Sequence, residues 1–75
     1  MPRKVRQLKE DLRKSGFLPV KGGGKGSHQK WVHPLLTDPV TISGHDGDDT
    51  HHYQEKQVRE AIAAAKEAER RQKRP

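Results

Sequence analysis

FLPVKGGGKGSHQKWVHPLLTDPVTIS, residues 17–43, decides how this chain folds. Apolar and polar residues alternate there in short runs punctuated by glycine and proline, the period of half-buried strands rather than of helices. Residues 17–20 form the first run, and Pro19 confines it to a sheet edge or a bulge, because proline donates no ladder hydrogen bond. Residues 21–27 are a loop with cations set between glycines. A second run spans residues 28–33 until Pro34 breaks it. Residues 39–43 make a third, with Val40 and Ile42 on one face. Three strands in succession predict an antiparallel meander.

Helical spacing appears on both sides of this stretch. Over residues 3–14, Val5, Leu8 and Leu12 recur at i, i+3 and i+7, one apolar stripe on about three turns. Gly16 then closes the last turn, since glycine adopts the left-handed conformation that helix ends require. After a turn-rich acidic loop at 44–50, Val58, Ala61, Ile62, Ala65 and Ala68 keep helical spacing through an alanine-rich segment of high helix propensity, predicting a second helix over 54–71. The basic tail at 70–75 suits the helix dipole and is expected to fray. Both helices must bury their stripes, and the economical arrangement packs them on one face of the sheet and leaves the other free. The expected fold is therefore α+β, with the α-β-β-β-α layout seen in double-stranded-RNA-binding domains.

With 75 residues, a single domain over 1–75 is expected, and 28% hydrophobic against 35% charged residues leaves a short list of core candidates. These are Val5, Leu8, Leu12, Phe17, Leu18, Val20, Trp31, Val32, Val40, Ile42, Val58 and Ile62. Trp31 reads as packing or as partner interface, Tyr53 as an anchor for the second helix, and His33 and His52 as surface histidines. Lys and Arg total 16 against 10 Asp and Glu, a formal charge of +6 that favours a polyanionic partner, either nucleic acid or an acidic protein. The absence of cysteine removes disulfide frameworks, thiolate nucleophiles and cysteine-containing zinc sites. The charged N-terminus lacks an apolar run of signal-peptide length and no stretch approaches a membrane span, so a cytoplasmic location without membrane association is expected.

The segment richest in chemistry is Lys25-Gly26-Ser27-His28-Gln29-Lys30-Trp31, where a histidine stands at the entrance of a strand from a glycine-rich loop. The glycines let backbone approach a phosphate, and Lys21, Lys25 and Lys30 can neutralise its charge. Histidine, with an ordinary pKa of about 6.5, exchanges protons at neutral pH. RNA carries its own nucleophile in the 2′-hydroxyl, so cleaving it needs mainly a proton acceptor, a proton donor and cationic stabilisation. Taken alone, these residues fit a plain basic binding loop better than a nuclease. The acidic, histidine-rich segment 44–52 lacks an EF-hand pattern, because the sixth position from Asp46 is His51 and the twelfth is Gln57, and no metal site is expected. The glycine run lacks P-loop spacing.

The first helix ending in Lys14-Ser15-Gly16-Phe17, then Lys25-Gly26-Ser27-His28, Trp31-Val32-His33-Pro34 and Val40-Thr41-Ile42, resembles the HicA toxins of type II toxin–antitoxin systems. The resemblance implies a double-stranded-RNA-binding-like fold, metal-independent endoribonuclease activity on mRNA without a cofactor, and neutralisation by a HicB-type antitoxin. It maps the catalytic histidine to His28 and a neighbouring glycine to Gly26, with Ser27 shaping the loop or touching phosphate. The expected protein is a monomer when free and a hetero-oligomer with its antitoxin. A non-catalytic RNA-binding module of the same fold is the alternative.

Overall fold

A computed structural model describes residues 3–20 and 28–72. The elements follow in the order α1 (Val5–Lys14), β1 (Leu18–Pro19), β2 (Gln29–Val32), β3 (Val40–Ile42) and α2 (His52–Gln72). The strands form one antiparallel sheet in the order β1-β2-β3, so the chain is an α+β meander flanked by helices, consistent with the double-stranded-RNA-binding-like layout. Pro19 lies in edge strand β1, where its missing donor costs no ladder bond.

The end of α1 is built by Gly16. Its φ of 97° lets Gly16 N–H donate to Arg13 O at 3.1 Å and Phe17 N–H to Leu12 O at 3.0 Å, which satisfies two terminal carbonyls. The same turn drives Phe17 onto Leu12, and both are fully buried. At the other end, Lys4 N–H donates to Gln7 Oε1, while Val5 N–H and Arg6 N–H donate to the carbonyls of Asp48 and Asp46. The acidic loop thus supplies backbone acceptors to the exposed donors of α1. Ion pairs follow the same path: Lys4 to Asp49 at 2.6 Å and Lys9 to Asp46 at 2.7 Å. The hydrogen bond from Lys9, reinforced by its charge, holds the Asp46 carboxyl below the usual carboxylate range.

One face of the sheet meets both helices. Trp31, Val40 and Ile42 join Val5, Leu8 and Leu12 of α1, Phe17, and Val58 and Ala65 of α2 in a single buried cluster, with Leu36, Ala61 and Ile62 packed at its margin. Strand alternation sends the intervening side chains to the opposite face. Leu18, Val20 and Val32 were core candidates and are exposed, at 62%, 37% and 40% respectively. A two-layer fold covers one side of its sheet, and these residues have the wrong parity for it.

A Cβ at Gly16 would stand 3.0 Å from His33 Nε2 in addition to requiring the left-handed backbone. Gly16→Ala is expected to lower unfolding free energy by about 1–2 kcal/mol from the backbone conformation alone, read as a decreased urea midpoint with an unchanged slope.

Candidate active site

His28 immediately precedes β2 and is exposed. In the β2–β3 register Gln29 faces Ile42 and Lys30 faces Thr41, so one further step places His28 opposite Ser43. Gln29 and Ile42 turn towards the helices, whereas His28, Lys30, Thr41 and Ser43 have the parity of the uncovered face. The two side chains meet across the strands, with Ser43 Oγ and His28 Nδ1 3.1 Å apart. Because Nδ1 is engaged by the hydroxyl, Nε2 is the ring nitrogen left for a substrate.

Ser43 is held in turn from the helical layer. Gln54, in the first turn of α2 and 1% exposed, donates from Nε2 to Ser43 O at 3.3 Å. Its Oε1 has no hydrogen-bond partner among the described residues. Neither Ser43 nor Gln54 stood out in the sequence. For Gln54 a signal existed: it lies four residues before buried Val58, on the apolar stripe of α2, where a polar side chain is out of pattern.

Of the other expected site residues, Lys30 lies exposed on the same face as His28. Val20 N–H donates to Lys30 O at 2.8 Å, extending the β1–β2 pairing by one step and setting Val20 beside Lys30. Lys21, Lys25, Gly26 and Ser27 lie outside the described residues. Among the described residues, no group of three or more metal-ligating side chains could hold an ion, and no helix is long and apolar enough to cross a membrane.

Several side chains differ from expectation. His33 is not a surface histidine: it is 4% exposed, accepts the Leu35 N–H at Nδ1 (3.0 Å) and packs against the edge of Phe17 at a ring-centroid distance of 5.0 Å. It shares the parity of Trp31, which aims it into the core. Tyr53 does not anchor α2 inwardly; it is 64% exposed and stacked on His51. Trp31 is a packing residue, 1% exposed, with the Arg13 guanidinium 5.7 Å from its ring centroid. Replacing His33 by Ala strips the Leu35 N–H of its acceptor and leaves a gap beside Phe17. A loss of roughly 1–3 kcal/mol is expected from the unpaired, partly buried donor together with that gap, measured by chemical denaturation.

The family model described as HicA toxin of bacterial toxin–antitoxin matches residues 5–69. No curated protein and no solved structure matches the chain. The matched span runs from the first residue of α1 into the last turns of α2 and so takes in both helices, all three strands and the His28–Ser43 pair. The chain belongs to the HicA toxin family of bacterial toxin–antitoxin systems.

Proposed function

We propose that this protein is the mRNA-cleaving toxin of its pair, a metal-independent endoribonuclease in which His28 moves the protons. The observation that carries the reading is an exposed imidazole on the open sheet face, tethered through Nδ1, with Nε2 left as the ring nitrogen for a substrate. In the reaction the 2′-oxygen bonds to the adjacent phosphorus as its proton passes to a base, and the bond from phosphorus to the 5′-oxygen breaks. That leaving oxygen takes up a proton, and the products are a 2′,3′-cyclic phosphate and a 5′-hydroxyl. His28 supplies the base, the acid or both in turn. Lys30 beside it and Lys21 and Lys25 of the preceding segment grip the phosphates, with Gly26 and Ser27 next to His28 in sequence. The net charge of +6 favours the polyanion before any specific contact forms.

As the toxin of a pair acting on mRNA, the protein would work in the cytoplasm and be silenced by a HicB-type antitoxin. Leu18, Val20 and Val32 expose apolar surface on the face that carries His28, and an antitoxin covering them would bury that surface and shut the site together.

Purified protein incubated with labelled single-stranded RNA in the presence of chelator should cut it, and the product should carry a cyclic phosphate. His28→Ala should slow cleavage by about 10²–10⁴-fold and abolish growth arrest on expression, with an unchanged circular dichroism spectrum. RNA retention without cleavage would instead identify a non-catalytic binding module.

A further inference from the structure

We infer that Ser43 is the positioning residue of the site, a hydroxyl that holds the His28 ring through Nδ1 and is itself held by Gln54 from the helical layer. The inference rests on the nuclease reading of His28 and adds to it the group that orients the imidazole.

The geometry comes from the sheet. Pairing of Gln29 with Ile42 fixes the register, the next pair outward is His28 with Ser43, and their side chains share a face at 3.1 Å. An exposed imidazole on its own samples several rotamers and both tautomers, and a fixed partner at one nitrogen restricts both. A serine hydroxyl suits a group that must gain and lose protons, because it can donate to a bare Nδ1 or accept from a protonated one by rotating about a single bond. A carboxylate in its place would favour the charged ring, and a backbone carbonyl would accept only.

Gln54 shows that this position is anchored. It occupies a stripe position of α2 that an apolar side chain would fill, with its amide oxygen unsatisfied among the described residues. A buried amide accepted on those terms has a local task. Its side-chain N–H donates to Ser43 O, at the point where β3 ends and the chain turns away through Gly44. The connection therefore runs from the core through Gln54 to the Ser43 backbone, and from the Ser43 hydroxyl to the ring that faces solvent.

The test compares wild type, Ser43→Ala, Ser43→Thr and His28→Ala in steady-state cleavage of a defined RNA. Long-range proton–nitrogen NMR of the His28 ring in the RNA-free protein accompanies it. Ser43→Ala should lower kcat by roughly ten- to a hundred-fold, as loss of an orienting partner does, with KM changed less than about twofold. The tautomer signature of His28 should shift. Ser43→Thr, which keeps the hydroxyl on a strand-compatible residue, should restore rate and signature towards wild type. If Ser43→Ala matches wild type in kcat and in the His28 spectrum while His28→Ala is inactive, the positioning role is wrong and the nuclease reading stands. Equal losses in the Ala and Thr variants with an unaltered His28 spectrum would make Ser43 merely structural and likewise overturn the role. Full activity in His28→Ala would overturn the nuclease reading itself, and with it any part for Ser43 in catalysis.

Discussion

Burial of Trp31 on the helical side of β2 is the constraint on which the rest depends. Side chains on a strand alternate faces, so an inward Trp31 sends Gln29 and His33 inward and leaves Lys30, Val32 and the preceding His28 outward. A slip of one residue would exchange the two sets, sealing His28 in the interior and exposing the indole. The largest fully buried side chain in the chain thus sets the address of the candidate proton carrier. Its partners on β3, Val40 and Ile42, bury from the same face and lock the register that brings Ser43 opposite His28.

A chain with so few apolar residues closes its core on one side only. The two helices cover one sheet face, and everything on the other stays available, including three apolar side chains that a larger protein would bury. The same shortage explains how much structure is delegated to backbone hydrogen bonds at the ends of α1. Gly16 turns its C-terminus back so that Phe17 reaches Leu12, and the 44–50 loop feeds carbonyls to its N-terminus. That loop leaves β3 directly after Ser43, so the segment that caps α1 also sets where the strand carrying Ser43 ends.

Most of the fold was legible because local signals and tertiary demands agreed. The Val5-Leu8-Leu12 stripe, the glycine after it and the alternation through β3 each named an element that formed, with ends shifted by one or two residues. What misled was counting apolar strand residues of both parities as core. Leu18, Val20 and Val32 alternate as well as Val40 and Ile42 do, and only the decision about which face is covered separates them. His33 was open to the same correction, since it lies two residues beyond Trp31 and must share its face. At the site, the glycine-rich approach and the family resemblance singled out His28, but Ser43 carried no local mark. A lone serine at a strand end acquires meaning only through cross-strand register, which depends on how the intervening turn at 34–39 is spaced.

His28 and His33, which flank β2, place one residue type in opposite surroundings. They lie five positions apart, an odd number, so alternation separates them to different faces. His33 meets a fixed backbone donor at Nδ1, the edge of Phe17 and the close approach of Gly16, surroundings that hold the ring in one orientation. His28 meets a rotatable hydroxyl at Nδ1 and is exposed to solvent. A buried imidazole with a rigid acceptor role stabilises structure best when it does not change, whereas general acid–base chemistry needs a ring whose partner tolerates the change. The chemistry of the partner atom therefore distinguishes the structural histidine from the candidate catalytic one more sharply than exposure alone.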